Sequence, residues 1–415
     1  MREQARSATN DYNSAYPFFA ASRTVNRHPS ALNLPAPPPE LAEISQALGE
    51  RILAALDRDG PLPFERYMAM ALYEPGLGYY VNGLHKFGAA GDFVTAPEQG
   101  ALFAGALARQ IDEVAQSLTP DYTLLEPGAG SGALARDLLQ TLAHKPARYL
   151  ILEPSAALRE VQRATLAALP SELSRRVEWI AAPPDEPFDG LIVANEVLDA
   201  LPVAAFSLGP DGPLERCVTV VGDRLAWLDQ PPRPRLLTAL RQLEQDLGRR
   251  LPAGYQSELC LDLTGWLDTV TRPLRRGAVI LVDYGYPRSE YYLPERSSGT
   301  LVCHYRHRAH FDPFVWPGLT DLSAFVDFSA VADAGIGCGL ELAGFTTQAD
   351  FLLALRVHET IESATDDATR LRMAGEFKRL VMPGEMGEKF KIMAFTRALE
   401  PMLSGLALSD LRRRL

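Results

Sequence analysis

The 415-residue chain has no paired cysteine motif, since Cys217, Cys260, Cys303 and Cys338 lie far apart without a C-x-x-C. That spacing supplies neither a zinc cage nor a disulfide framework, and free thiols in a reducing compartment are the expectation. The chain also lacks any apolar run near the roughly 20 residues that a membrane span requires, and no charged start followed by an apolar core marks a secretion signal. An excess of positive charge is missing too. With 41 Lys and Arg against 52 Asp and Glu, the net charge is −11, so no global basic field exists to hold nucleic acid. No internal repeat is visible. What is present is 47% hydrophobic and 22% charged residues, enough apolar mass for one large core with insertions.

Residues 1–40 are rich in Ala, Ser, Arg and Pro and end in the LPAPPPE of Leu34 to Glu40. They read as a disordered extension ahead of the folded part, with an organelle-targeting segment as the weaker alternative. Residues 41–118 read as a helical cap followed by a loop dense in glycine and aromatics, and loops of that length are more often functional than connective. From Thr123 strand and helix alternate, which predicts an α/β fold with a doubly wound parallel sheet. The sheet core is expected over 119–204 and 271–400. Residues 205–270 form an insertion on the substrate side, with a hairpin over Leu214 to Leu228 and helices over Pro234 to Leu247 and Glu258 to Val270. The core resumes at the apolar strand Ala278 to Tyr284, crosses an irregular stretch from Pro287 to Asp327, and reaches its last strand at Phe390 to Thr396; 401–415 is a tail.

The most telling stretch is TLLEPGAGSGALARDLL, Thr123 to Leu139. An apolar strand meets an acid, then Gly128, Gly130 and Gly132 permit a tight turn, then leucines recur at helical spacing. This is a nucleotide-cofactor turn, and the glycine pattern also satisfies the dinucleotide fingerprint. Glu126 separates the two readings. A carboxylate just ahead of the glycines repels a pyrophosphate and favours the sulfonium and ammonium of S-adenosylmethionine. About 20 residues after the loop, the strand RYLILE ends in Glu153, where ribose hydroxyls of a nucleoside expect an acceptor.

Methyl transfer from a sulfonium is an in-line displacement that asks the protein mainly to align and desolvate its reactants. A guanidine acceptor would need facing carboxylates to orient one nitrogen and stabilise the cationic product. Asn195, Glu196 and Asp199 follow the fourth strand, at the ligand-binding edge of such sheets, and Glu258 is a further acid from the insertion. The plainer reading of Asn195-Glu196-x-x-Asp199 is a helix cap with acids at the dipole. Asp92 and Glu98 are isolated loop acids that either line the cofactor or substrate entrance or are solvated. Asp283 either lines the pocket or satisfies nearby backbone N–H groups. His304, His307 and His310 form H-x-x-H-x-x-H, but the intervening Arg306 and Arg308 oppose a cation and Pro313 argues against one helical face, so no metal is expected.

Many blocks of the chain together resemble the MidA-type methyltransferases, a family that includes the mitochondrial complex I assembly-factor arginine methyltransferase. They include LYEPGLGYY at Leu72, GDFVTAPE at Gly91, the glycine loop, ILEPS at Ile151, NEVLDALPV at Asn195, VDYGYP at Val282, GTLVCHYRHR at Gly299, DLSAFVDF at Asp321 and MPGEMGEKFK at Met382. The resemblance implies a class I methyltransferase, Rossmann-like fold with an N-terminal helical cap and insertions after the fourth and fifth strands. It implies S-adenosylmethionine as cofactor and S-adenosylhomocysteine as product. Glu126, Gly128, Gly130, Gly132, Glu153, Asp92 and Asn195 would surround the donor, and Glu196, Asp199 and Glu258 are the catalytic candidates. The expected activity is protein arginine N-methylation in a bacterial cytoplasm, with a mitochondrial matrix as the lesser alternative and a homodimer left open. A non-catalytic assembly factor, or a methyltransferase for a small N or O nucleophile, are the competing readings.

Overall fold

The computed structural model describes residues 34–83 and 95–415. At its centre is an eight-stranded sheet. Seven strands carry the topology: β1 (Thr123–Pro127), β2 (Arg148–Leu152), β3 (Val177–Ile180), β4 (Phe188–Asn195), β5 (Leu274–Tyr286), β6 (Glu341–Thr347) and β7 (Phe390–Arg397). The eighth, Val326–Asp327, extends the end of β5. Across the sheet the order is β6-β7-β5-β4-β1-β2-β3. Strands β1 to β5 run parallel, and β7 lies antiparallel between β5 and β6.

The alternation of side chains explains why these strands are apolar throughout. Leu124, Leu191, Val193, Ala278 and Ile280 enter the core on one face. Leu125, Ile192, Ala194, Val279 and Leu281 enter the core on the other. With both faces buried, a period-two strand has no solvent side and reads as a continuous hydrophobic run. The helix Leu102–Ala115, expected as part of the cap, carries Phe103, Leu107 and Ile111 into the first of these cores and therefore packs on the sheet.

Three further expectations are corrected. The segment Glu258 to Val270 is not one helix: Gln256–Leu259 is a strand pairing with Ala204–Gly209, and the helix begins at Leu263. Its sequence has little strand character, and an available sheet edge decides its state, as context often does for β structure. The stretch from Pro287 to Asp327 contains a small sheet of Val302–Tyr305, Arg308–His310 and Asp321–Ser323. Strand β6 was not expected, because its ELAGFTT alternates weakly and opens with polar and small residues.

The first two helices, Pro39–Asp59 and Phe64–Tyr73, are joined by Leu62–Pro63, which pairs with Cys217 and Val218 of the inserted sheet. Leu48, Phe64, Tyr67, Val203, Val218, Cys303 and Leu322 share one core. Cap, insertion and small sheet thus form a single wall above the main sheet. That wall stands over the place where the chain leaves β1 for one edge and β4 for the other, the topological position at which open α/β sheets bind ligands.

Candidate active site

Strand β1 ends in Glu126, buried to 3% exposure. Its Oε2 accepts a hydrogen bond from the Tyr149 hydroxyl of β2 at 2.7 Å. Burial outweighs this bond and pushes the carboxyl up to about 7, poised between its charged and neutral forms. The glycine loop follows. Gly128 has φ +66°, and a Cβ there would stand 3.1 Å from Val197 Cγ2, so this glycine makes room for the loop after β4 as well as for a ligand. Gly132, at φ +83°, starts the helix Ala133–Thr141 from the left-handed region, where a residue without Cβ is unstrained.

Glu153, at the end of β2, accepts from the Ser155 N–H at 2.9 Å and from Gln162 Nε2 at 3.2 Å. The same Gln162 amide also donates to the Gly130 carbonyl, and its oxygen accepts from Trp179 Nε1. Fully buried Gln162 therefore fixes the second acid against the glycine loop. Sequence reasoning missed it, since nothing in a helical glutamine announces this bond.

Beyond β4 no helix follows Asn195, so the cap reading of this motif is corrected. Glu196 instead sits at φ +53°, a conformation that costs a non-glycine residue about 1–2 kcal/mol. The turn is held from behind. Asp283, wholly buried on β5, accepts from the Leu198 N–H at 2.9 Å, the Asp199 N–H at 3.3 Å and the Tyr284 N–H at 2.9 Å. Of its two expected roles, the structure gives the backbone-satisfying one. Burial, then the nearby Asp199 and Glu196, raise its carboxyl well above the usual range.

Glu196 Oε1 accepts from Asn195 Nδ2 at 3.2 Å and, at 3.4 Å, from the Ala96 N–H. Burial first, and then the like charge of Asp199, bring this carboxyl to about 8, against the pull of those two bonds. Asp199 Oδ2 accepts from the Tyr284 hydroxyl at 2.6 Å, while its buried Oδ1 has no hydrogen-bond partner. Asp321, from the small sheet, accepts from the Tyr80 hydroxyl at 3.0 Å and from Ser323.

A cavity of about 1640 Å³ joins these groups, bounded by Glu126, Gly128, Gly130, Glu153, Asn195, Glu196, Asp199 and Asp321. It exceeds the roughly 300–1,000 Å³ common for one small ligand, so it has space for a donor and an acceptor side chain together. Glu98 lines it too and receives a hydrogen bond from the Ser131 hydroxyl of the glycine loop. Gly132 lies behind the lining. Glu258 does not reach the cavity: its Oε2 accepts from the Thr300 N–H at 3.0 Å, which makes it an anchor for the chain behind the wall. The catalytic expectation for Glu258 is corrected accordingly. Asp92 lies outside the described residues.

The three histidines do not converge. His304 and His307 border the cavity, whereas His310 is buried away from it. Burial holds both His304 and His310 down at about 4, hence neutral. Among the described residues no group of three or more His, Cys, Asp or Glu side chains is arranged to hold a metal ion. Tyr73, Tyr80 and Tyr284, which touch the acids or their loop, escaped sequence reasoning because tyrosines in LYEPGLGYY and VDYGYP have no spacing rule.

The donor end fits S-adenosylmethionine on its own chemistry. It offers buried carboxylates at the ends of β1 and β2, a glycine loop ahead of a helix, and an Asn195 Oδ1 buried without a hydrogen-bond partner. Such acceptors suit a ligand that brings ammonium, sulfonium and hydroxyl groups.

Comparisons with known proteins agree. Residues 106–346 match a family model of S-adenosyl-L-methionine-dependent methyltransferases. The mitochondrial protein arginine methyltransferase NDUFAF7 of Mus musculus is 26% identical over 392 residues, covering 86% of each chain. The Drosophila melanogaster homologue is 27% identical over 86% of this chain and 88% of its own. A superfamily protein from Burkholderia thailandensis, crystallised with S-adenosyl-homocysteine, is 40% identical with a TM-score of 0.86, covering 92% of this chain and all of the other. The glycine loop, the two strand-end acids and these matches together make the chain a member of the MidA-type family of S-adenosyl-L-methionine-dependent methyltransferases.

Proposed function

We propose that this methyltransferase acts on an arginine guanidinium of a protein substrate. The observation that carries the reading is the acidic end of the cavity, where buried Glu196 and Asp199 lie close enough for the charge of Asp199 to raise the proton affinity of Glu196. Burying like charges together is costly unless a cation enters between them. The naming of the mouse and fly relatives as protein arginine methyltransferases supports it.

In this reading Glu126 and Glu153 hold the donor's cationic and ribose groups, and the glycine loop lets its backbone come close. The bound donor supplies a methyl group on a sulfonium. Glu196 and Asp199 accept N–H bonds from the guanidinium, and Glu196 releases to solvent the proton that it retains in the free pocket. They turn one nitrogen toward the methyl and stabilise the cation that persists in the product. One proton leaves that nitrogen on transfer, and the Glu196 carboxylate, whose affinity for protons is already high, receives it. Asp283 takes no proton in this scheme; it fixes the turn that carries both acids. A reducing cytoplasm suits the four unpaired cysteines.

The test is to incubate the protein with tritium-labelled S-adenosylmethionine and a proteome from cells lacking it, then hydrolyse and chromatograph. Label is expected in methylated arginine. Glu196→Gln should lower incorporation by about 100-fold or more while S-adenosylhomocysteine still binds. Label in another amino acid, or undiminished transfer by the variant, rejects the assignment.

A further inference from the structure

Tyr73 is the last residue of the helix Phe64–Tyr73, and its ring faces the cavity. One side is covered by Tyr80, with centroids 5.7 Å apart and planes 21° from parallel. Although the phenol end is deeply enclosed, the residue remains 39% exposed. Among the described residues no second ring stacks on its other side, so this aromatic surface is covered on one face inside the cleft.

The ring is also fixed in place. Its hydroxyl donates to the Ala200 carbonyl at 2.9 Å, so the aromatic plane is tied to the residue next to Asp199. Tyr80 is held in turn by its hydroxyl bond to Asp321 and by an edge contact with Tyr79 at 5.1 Å. Burial, followed by Asp199, Asp321 and Glu153, raises the Tyr73 phenol, so it stays a protonated donor. The bond to Ala200 and the stacking on Tyr80, itself bonded to Asp321, place the ring at the acidic end of the cavity that Glu153 also lines. A planar acceptor that takes the methyl group would lie there.

We propose that Tyr73 is the stacking platform for the acceptor, a specificity residue on whose open face the planar cation lies while Glu196 and Asp199 take its N–H groups at the edge. The inference rests on the arginine reading and deepens it. A guanidinium is flat, weakly hydrated and able to use an aromatic face and in-plane carboxylates at once. An ammonium is compact and strongly hydrated and gains less from a flat platform. The carboxylates select for charge, whereas the ring selects for shape.

The experiment uses acetyl-Gly-Arg-Gly-amide, with citrulline and lysine counterparts, titrated into the full chain saturated with S-adenosylhomocysteine and followed by NMR. Wild type and Tyr73→Phe should bind the arginine peptide and shift its δ-methylene protons upfield through the ring current. Tyr73→Leu should bind it about tenfold more weakly and abolish the shift, with S-adenosylhomocysteine affinity unchanged. Equal arginine binding and an unaltered shift in Tyr73→Leu would overturn the platform and leave the arginine reading standing. Citrulline or lysine bound as well as arginine, or no arginine binding by wild type, overturns both.

Discussion

Glu126 leaves bulk water on folding and keeps Tyr149 as its hydrogen-bond donor, so its charge is held in reserve until a cation arrives. With the carboxyl near 7 in the free cavity, a cationic donor must displace a proton whenever the pH is lower. Affinity for S-adenosylmethionine should therefore fall as pH drops below about 7, approaching tenfold per unit. Isothermal titration from pH 5.5 to 8 measures this, and Glu126→Gln should bind weakly with that dependence removed. A steep profile surviving in the variant would assign the titration to another group. At this scale the sequence was informative where chemistry is local. Glu126 and Glu153 each close an apolar strand, a position that has meaning without knowledge of the fold. Glu258 shows the opposite case: its acid is visible in YQSEL, but Thr300, which occupies it, is 42 residues away. Gln162 was silent for the same reason, because its two acceptors come from separate strand ends.

Between residue and molecule, the element that matters most is the turn after β4. Its conformation is not self-supporting, since Glu196 sits in the left-handed region and Asp283 supplies the backbone bonds that a helix would have given. Asp283→Asn would turn one of its two acceptor oxygens into an NH₂ aimed at a backbone N–H. It should destabilise the protein by about 1–3 kcal/mol and lower methyl transfer more than donor affinity. Denaturant titration beside single-turnover rates separates the two, and a variant with wild-type transfer would deny the turn its dependence on β5. The parallel strands were legible from their runs of Val, Ile and Leu, as both faces demand apolar residues. Gln256–Leu259 and β6 were not, because each takes its state from an edge provided by a distant strand.

For the molecule as a whole, the buried acids and bases set a pH profile of stability. His304 and His310, lowered to about 4, bind fewer protons folded than unfolded, so stability gains as pH rises from about 4 to 6.5. Glu196, raised from 4.5 to about 8, holds a proton that the unfolded chain has released, so its contribution runs the other way until pH 8. Above 6.5 the histidines no longer change, and the raised carboxyls dominate: Glu196 across the interval, Glu126 up to about 7, and Asp283 in the same direction. Glu196 alone should cost the unliganded protein about 2 kcal/mol between pH 6.5 and 8, and Glu196→Gln should make the fall over that interval shallower by that amount. Urea denaturation at the two ends provides the comparison; equal slopes in both proteins would show that Glu196 does not govern it.

Strand β7 slots between β5 and β6, although it is the last of the three to be synthesised. The sheet therefore has an unfilled gap throughout translation, with β5 and β6 separated until residue 397 has left the ribosome. A nascent chain can assemble β1 to β5 early, yet it must shield two adjacent unpaired edges until the end, a long-range closure that is slow and open to aggregation. Closure of the central sheet thus waits for Phe390–Arg397, and a chaperone that covers those edges until then would favour folding over aggregation.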